Sequence, residues 1–408
     1  MKKIGCKNNT SKRTYIDLFA GCGGLSLGLH LAGWQGLFAI EKSPFAFKTL
    51  KHNLIDSKQH FSWPEWLECK EHDIVEILEN NKNELQGLQG KVDLVVGGPP
   101  CQGFSMAGKR KEDDFRNELV YSYIKFIDIV KPKLVLFENV NGFTYAFKNN
   151  DANENAVPYS QIVTKKLQDM GYNVKAQMID FSDYGVPQKR VRFILIASLN
   201  NNADIFMKII QETKTVFLKS KGLNLKATVA DAISDLLFIN GSLPTPDRKG
   251  FESGIYSESK SRYQTAMRKG YARKDCVADS HSFSKHRKDT VKVFTKLLDK
   301  YPYRSKRIRD NDKKKWNVSK RSITVLDGDT QSPTLTSHPD DYIHYLEPRI
   351  LTVRECARIQ SFPDWYEIKE RYTTGGLNRK YEVPRYTQIG NAIPPLFSEL
   401  AGLALWRM

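Results

Sequence analysis

The sequence predicts an α/β protein built on a doubly wound parallel sheet, joined to a smaller and more basic second part. Up to about residue 200, short apolar strands alternate with helical segments, which is typical of a parallel sheet covered on both faces. Beyond that point the apolar periodicity weakens and basic runs appear. With 408 residues the chain can form one large domain with its own core and a smaller one.

The elements of the first part follow from apolar runs of strand or helix length, bounded by glycine, proline and charged residues. The predicted strands are residues 15–19, 37–40, 92–96, 134–137, 174–179 and 191–197, and the predicted helices between them include 25–32 and 119–130.

The change in composition and apolar periodicity along the chain also indicates where the two parts begin and end. We predict a first domain over residues 1–220, completed by residues 385–408, and a second over 221–384 that includes the ordered stretch 351–365. The helix expected around 396–406 is too hydrophobic to stay exposed, so we expect it to pack back onto the first domain.

The charge balance narrows the choice of partners. The chain has 63 Lys and Arg against 46 Asp and Glu, a net charge of +17, which indicates a polyanionic partner; solubility or a lysine-rich genome is the alternative. The six cysteines are scattered without a C-x-x-C pair, so we expect no metal site and no disulfides. We find no stretch of membrane-spanning length and no signal-peptide core, and therefore expect a cytoplasmic protein.

The first predicted strand leads into the glycine turn Asp17-Leu18-Phe19-Ala20-Gly21-Cys22-Gly23-Gly24. Such a turn lets the backbone approach a ligand at a helix N-terminus, although the G-x-G-x-x-G dinucleotide fingerprint is absent. Glu41 ends the second strand, where an acidic side chain can accept hydrogen bonds from ribose hydroxyls. Asp73 could accept from an adenine amino group, or simply cap a helix beginning at Ile74.

Four residues agree on one edge of the predicted sheet. Phe19, Glu41, Cys101 and Glu138 all fall at or just after the carboxyl ends of strands, where open parallel sheets bind their ligands. Four strands agreeing on one edge is a stronger signal than any single motif.

Cys101 follows an apolar strand and a stiff Pro-Pro turn in the stretch Gly97–Ser105. It is either a positioned nucleophile or a packed, inert thiol. Glu138, partly desolvated at a sheet edge, would have a raised pKa and could donate a proton. Arg190 and Arg192 alternate onto one face as the next strand begins; the alternative for this pair is an exposed basic strand end.

Six blocks together carry a family resemblance. DLFAGCGG, GGPPCQGFS, FENV, QKRVR, RECARIQSFPDW and QIGNAIPP occur in this order, and the chain thereby resembles the cytosine-C5 DNA methyltransferases of the bacterial restriction-modification type. The resemblance covers about residues 14–198 and 349–408. It implies a Rossmann-like S-adenosylmethionine-dependent methyltransferase domain, and it assigns the unmatched, basic middle to a smaller target-recognition domain.

The resemblance implies a role for each site residue. The Cys101 thiolate would attack C6 of a cytosine flipped out of duplex DNA, Glu138 would protonate N3, and Arg192, with Arg190 nearby, would hold O2. Phe19 would stack near the adenine, Glu41 would hold the ribose, and the glycines, Pro100 and Asn391 would surround the methionine end. The cofactor-binding residues so implied are Phe19, Ala20, Gly21, Gly23, Gly24, Glu41, Asp73, Pro100 and Asn391.

For DNA contacts we expect a mobile loop over residues 105–116 that closes on DNA and places cations at phosphates; a merely solvated loop is the alternative. The basic run 304–315 is more typical of phosphate contact or a solvated loop than of base reading. The predicted DNA-contact residues are Ser105, Lys109, Arg110, Lys111, Arg116, Thr334 and Leu335.

Two other functions remain open at this point: a tRNA cytosine-C5 methyltransferase, and a DNA-binding regulator that has lost catalysis. The Pro-Pro-Cys turn excludes the amino-group methyltransferases, which carry an aromatic residue after the prolines. We expect a stand-alone bacterial enzyme that acts as a monomer on double-stranded DNA at the nucleoid. We expect it to be paired with a cognate restriction endonuclease; an orphan or phage-borne methylase is the alternative.

Overall fold

The protein is described from a computed structural model that covers residues 12–100, 116–145, 157–200, 202–271, 277–318, 322–374, 378 and 382–408. Several predicted residues lie outside these ranges, and so does the side chain of Arg116, although its backbone begins a helix. The predicted residues outside the described part of the chain are Cys101, Ser105, Lys109, Arg110 and Lys111.

The first half of the described chain forms a six-stranded sheet with the order β2-β1-β3-β4-β6-β5. The chain leaves β1 toward β2 on one side and returns to β3 on the other, so the strand order reverses beside β1. The strands are β1 Thr14–Leu18, β2 Gln35–Ile40, β3 Leu94–Gly97, β4 Leu134–Val140, β5 Asn173–Asp180 and β6 Val191–Ser198.

All six predicted strands are present, but the expectation of a wholly parallel sheet is wrong. β1 to β4 pair in parallel, whereas β6 runs antiparallel to both β4 and β5. The reason is the connection from β5 to β6 over residues 181–190, which contains only a single 3₁₀ turn. A parallel return needs a crossover of a dozen or more residues, so a short link forces a hairpin.

Helices cover both faces of the sheet, as expected for a doubly wound fold. Alternate strand residues enter two cores: Val96 and Leu136 pack on one face, and Val95 and Val135 on the other. Successive strand residues point to opposite faces, so these strands are apolar throughout. The helices are α1 Gly24–Leu31, α2 Pro44–Leu50, α3 Ile74–Asn80, α4 Lys82–Gly87, α5 Arg116–Val130, α6 Tyr159–Asp169 and α7 Asp204–Ser220.

The remaining chain adds two small sheets and further helices. A three-stranded sheet has the order β7-β8-β9, and a separate core forms around Phe294, Leu297, Ile308 and Ile343. The core on the sheet face that holds Val96 and Leu136 also contains residues from both predicted domains. The division at residue 221 stays a prediction. The elements are α8 Val229–Ile233, β7 Ser242–Pro244, β8 Glu252–Ile255, α9 Arg262–Met267, β9 Val277–Ser282, α10 Lys288–Lys300, α11 Asp310–Lys315, β10 Thr324–Val325, β11 Tyr342–Ile343, α12 Val353–Ile359, α13 Arg385–Asn391 and α14 Pro395–Trp406.

The hydrophobic end of the chain packs against the first domain, as predicted. Helix α14 lies against α1, and the indole of Trp34 donates a hydrogen bond of 2.9 Å to the carbonyl oxygen of Gly402. Phe397 stacks against Phe181 with ring centroids 4.4 Å apart. The close helix pairing brings α13 and the residues before α14 to the edge of the sheet.

Buried arginines on α12 hold the second half of the chain together. Arg358 pairs with Asp235 at 2.6 Å and Asp364 at 2.7 Å, and Arg354 pairs with Asp279 at 3.0 Å. Both guanidinium groups are fully buried. Because an unpaired buried charge is costly, each arginine ties together segments far apart in sequence.

Within the described ranges, no helix combines the length and apolar character needed to cross a membrane. The same residues contain no cluster of three or more His, Cys, Asp or Glu side chains arranged to hold a metal ion.

Two helical glycines give matched opposite predictions for stability. A Cβ at Gly28 would overlap Ser398 and the backbone of Glu399, so Gly28→Ala must force α1 and α14 apart. We expect a loss of about 1–3 kcal/mol in the free energy of unfolding. A Cβ added at Gly87 would meet no atom within 4 Å, so Gly87→Ala should be neutral or add up to about 1 kcal/mol.

Urea-induced unfolding measures the free energy of unfolding of both variants, and an m-value equal to that of the wild type shows that only stability has changed. Equal effects at the two positions would contradict the close packing of α1 on α14.

Candidate active site

A cleft of about 1950 Å³ lies at the carboxyl ends of β1 to β4, where the strand order reverses. Open α/β sheets bind ligands at this position. Within the described ranges most of the predicted site residues line it, whereas Gly23 and Thr334 do not. The predicted residues lining the cleft are Phe19, Ala20, Gly21, Gly24, Glu41, Asp73, Pro100, Glu138, Arg190, Arg192, Leu335 and Asn391.

The glycine turn after β1 has two kinds of glycine. Gly21 has a φ of 57°, and an added Cβ there would meet nothing within 4 Å, so its backbone borders open space in the cleft. Gly23 has a φ of 87°, and a Cβ would lie 2.6 Å from the Tyr366 hydroxyl; a Cβ at Gly24 would overlap the carbonyl of Ile393. Gly21 therefore leaves room for a ligand, while the other two allow close protein packing.

Glu41 holds the turn in place. One carboxylate oxygen accepts a hydrogen bond from the Gly21 N–H at 2.8 Å, and the other accepts from the Ser43 N–H at 2.7 Å. Burial raises the pKa of Glu41, and the backbone N–H groups of Ser43 and Gly21 act in the opposite direction. The predicted ribose ligand is thus also the group that fixes the glycine turn.

Asp17 is a site residue that the sequence analysis did not single out. Its carboxylate lines the cleft, is 1% exposed, and accepts a hydrogen bond from the Ser26 hydroxyl at 2.5 Å. Burial, opposed by Ser26 and assisted by the charge of Glu41, raises the pKa of Asp17 to about 7. An aspartate inside the apolar strand Tyr15-Ile16-Asp17-Leu18 was the available signal.

Asp73 caps helix α3, which is one of the two roles predicted for it. One oxygen caps α3 by accepting from the Val75 N–H at 2.9 Å, and the other pairs with Lys42 at 2.6 Å. Burial raises the pKa of Asp73, but these two partners outweigh it, and the pKa lies below its ordinary value. The helix-cap interpretation is confirmed, and the side chain also borders the cleft.

Glu138 and Arg192 form an ion pair in the cleft. The Arg192 Nε lies 3.0 Å from a Glu138 oxygen, and their side chains are only 12% and 13% exposed. Burial raises the pKa of Glu138, while Arg192 and Arg190 oppose the rise. The β3 turn approaches closely, because a Cβ at Gly98 would lie 2.8 Å from the other Glu138 oxygen.

Asn139, the neighbour of Glu138, holds the start of the Pro-Pro turn. Its side-chain amide donates to the carbonyl oxygen of Pro99 at 3.3 Å, and Pro100 lines the cleft immediately beyond. The last described residue of this turn therefore lies at the same edge as Glu138. The Cys101 thiol follows it in sequence, outside the described ranges.

Arg190 has a different environment from Arg192. It is 2% exposed and donates to the carbonyl oxygens of Leu335 at 3.3 Å and Gly390 at 3.0 Å. Thr334 donates in turn to the carbonyl oxygen of Lys189 at 2.7 Å. Arg190, Thr334 and Leu335 therefore join three chain segments at the cleft wall.

Comparison with known proteins gives a family. The profile of the C-5 cytosine-specific DNA methylases matches residues 13–403. The chain belongs to this family. Its activity is that of a DNA (cytosine-5-)-methyltransferase, and its methyl donor is S-adenosylmethionine.

Full-length relatives agree with the family match. The chain is 30% identical over 395 residues to the type II methyltransferase M.DdeI of Desulfomicrobium norvegicum, covering 94% of this chain and 86% of the relative. It is 31% identical over 395 residues to M.PspPI of a Psychrobacter species, covering 96% and 79%.

Among solved structures, an Escherichia coli prophage protein described as a candidate DNA modification methyltransferase matches with a TM-score of 0.64 at 23% identity. The match covers 97% of this chain and 99% of that one, and it supports the fold.

The acidic end of the methylase cleft suits its methyl donor. S-adenosylmethionine carries a cationic sulfonium and an ammonium group, and the described residues give the buried Asp17 carboxylate and the half-buried Glu41 carboxylate no cationic side-chain partner. The open space beside Gly21 can admit a ligand next to these carboxylates. The residues present therefore fit a small cationic ligand.

We predict that binding of S-adenosylmethionine releases a proton from Asp17. A bound cation favours the carboxylate, so affinity should fall as pH drops below about 7, by up to about tenfold per pH unit. Asp17→Asn should flatten this dependence, and the exposed control Asp183→Asn should keep it.

Calorimetry in buffers of different ionisation enthalpy measures the released proton. Work between about pH 5.5 and 6.7, at least one unit below the usual α-amino pKa of about 7.7–8.0, keeps the ligand's own amino group protonated. A wild-type affinity independent of pH over this range would show that Asp17 does not face the cation.

Proposed function

We propose that this methylase is the modification enzyme of a type II restriction-modification system and methylates one cytosine within a short sequence of double-stranded DNA. Relatives about 30% identical over nearly the whole chain carry the type II name. In this role the enzyme protects DNA from a cognate restriction endonuclease. We further propose that it acts as a monomer, at the nucleoid in the bacterial cytoplasm.

The observation that carries the mechanism is the Glu138–Arg192 ion pair beside the Pro-Pro turn. A carboxyl group and a guanidinium this close can together hold a planar base that offers a ring nitrogen and a carbonyl oxygen on adjacent atoms, as cytosine does with N3 and O2. Within a duplex the base stack covers C5 and C6, so the cytosine must be flipped into the cleft.

We assign the covalent step to Cys101. Its thiolate adds to C6 of the flipped cytosine, the π pair of the C5=C6 double bond moves to C4–C5, and the C4=N3 π pair moves onto N3, which leaves an enamine with a nucleophilic C5. Protonation of N3 by Glu138 offsets the charge that builds on the ring. After methylation, loss of the C5 proton and expulsion of the thiolate restore the double bond and free the enzyme.

Arg192 and Arg190 support this step in different ways. Arg192 holds Glu138 in place and is available to cytosine O2 from the same wall of the cleft. Arg190 is engaged by the carbonyl oxygens of Leu335 and Gly390, so we assign it the positioning of the cleft wall, with its positive charge favouring the thiolate.

Cofactor binding is assigned to the part of the cleft beside the glycine turn, and when bound the cofactor supplies the methyl group. The Gly21 N–H donates to Glu41 there, and the other residues assigned to the cofactor that line the cleft include Phe19, Asp73, Pro100 and Asn391. Phe19 has a left-handed φ of 60°, a strained conformation that the Glu41-anchored turn supports. The loop that holds Lys109, Arg110 and Lys111 is assigned to DNA phosphates.

Bisulfite sequencing tests the function directly. DNA is taken from a methylation-free bacterial host that expresses the chain, beside a Cys101→Ala control. We expect unconverted cytosines at one short motif only with intact Cys101. Complete conversion with soluble wild-type protein would reject the proposal.

Glu138→Gln tests the proton donor. The amide keeps the shape of the side chain but cannot protonate N3, so we expect kcat to fall by about 10²–10⁴-fold with little change in DNA affinity. The exposed Glu118→Gln is the matched control and should retain full activity. Single-turnover kinetics with duplex DNA separates the chemical step from binding, and equal rates for the two variants would remove Glu138 from the mechanism.

A further inference from the structure

A stack in which cations and aromatic rings alternate borders the cleft. The Arg248 guanidinium carbon lies 3.5 Å from the centroid of the Phe251 ring and 4.9 Å from that of Tyr372. The Lys285 Nζ lies 5.1 Å from the Phe251 ring centroid, and the Arg385 guanidinium carbon lies 4.3 Å from the Tyr372 ring centroid. Arg248, Phe251, Lys285 and Tyr372 all line the cleft.

The stack is anchored at one end. Arg385 pairs with Asp247, and it donates to the Ser280 hydroxyl at 2.9 Å and to the carbonyl oxygen of Glu370 at 2.6 Å. Asp247 also accepts from the Tyr372 hydroxyl at 3.0 Å. The donors of Arg385 are therefore committed to the protein.

Arg248 differs from Arg385 in this respect. It lies in the turn between β7 and β8, where the Phe251 N–H donates to its carbonyl oxygen at 3.1 Å. Its side chain has no hydrogen-bond acceptor or ion-pair partner among the described residues. The N–H donors lie in the plane of the guanidinium, which Phe251 and Tyr372 contact. Burial lowers the pKa of Arg248, with Tyr386, Tyr372 and Asp247 opposing the shift.

We propose that Arg248 is a specificity-determining residue that reads a guanine of the target site through a bidentate hydrogen bond to O6 and N7. A guanidinium restrained by aromatic rings presents a planar fork, and the major-groove edge of guanine offers two acceptors in one plane. Phosphate contacts need no such restraint and are met by flexible, exposed cations such as Lys285. The assignment rests on the proposed function, which guarantees at least one guanine: the partner of the target cytosine.

The test combines a substitution in the protein with a base replacement in the DNA, as in a double-mutant cycle. Each guanine of the site found by bisulfite sequencing is replaced in turn by 7-deazaguanine, which lacks the N7 acceptor. For the wild type we expect one position to lower kcat/KM on the order of 10- to 100-fold. Arg248→Met keeps an unbranched side chain beside the rings but has no N–H donor, so the same replacement should cost it nothing further. Arg262→Met, at an exposed arginine away from the cleft, should behave as the wild type.

A second variant distinguishes a loss of guanine reading from a loss of folding. Phe251→Leu leaves Arg248 in place but removes one ring, so it should lower the same guanine-dependent factor while melting temperature and cofactor affinity stay unchanged.

Two results would overturn the assignment. One is an equal 7-deazaguanine penalty in the wild type and Arg248→Met at every guanine. The other is a uniform loss of affinity for all duplexes in Arg248→Ala, with the salt dependence reduced by about one phosphate contact. A wild type that methylates no duplex would reject the proposed function together with this assignment, whereas either of the two results above in an active wild type would reject the assignment alone.

Discussion

The pairing of buried guanidinium groups with buried carboxylates around α12 is the constraint on which the rest of the site depends. Arg354 fixes β9 through Asp279, and β9 carries β8, so the hairpin that ends in Arg248 is held indirectly by a buried ion pair. Arg358 fixes the segments around Asp235 and Asp364. Removing either partner would leave a charge in a dry interior, which makes the arrangement nearly all-or-none.

This constraint allows one cleft to carry two opposite electrostatic environments. The buried Asp17 and the half-buried Glu41 line it at the ends of β1 and β2, and the cationic Arg248 and Lys285 line it as well. The carboxylates attract a small cation, and the cationic side chains attract a polyanion. The Glu138–Arg192 ion pair lines the same cleft, in which the base and the methyl group have to meet.

Much of this arrangement could be predicted from sequence, because it depends on local patterns. The apolar runs indicate all six strands, and the strand ends bring Glu41 and Glu138 to one edge. The direction of β6 was predicted wrongly although its signal was present: the link between the last two predicted strands is too short for a parallel crossover, and the alternation of strands and helices outweighed it.

The charges of the site are harder to predict than its positions. Asp17 escapes notice because one polar residue in an apolar strand gives no periodicity signal, and its raised pKa arises from tertiary burial. Arg190 and Arg192 look alike in sequence, yet one meets backbone carbonyls and the other meets Glu138. The Arg248 stack joins residues more than a hundred positions apart, which no local pattern records.

The pairing of α1 with α14 has a consequence for the way the chain is made. The Trp34–Gly402 hydrogen bond spans 368 residues, so the apolar face of α1 leaves the ribosome long before its cover is synthesised. Contacts between residues so far apart in sequence form slowly, because the intervening chain must first be ordered. Nascent chains therefore carry an uncovered hydrophobic surface through most of translation, and chaperones that bind such surfaces have a defined place to act.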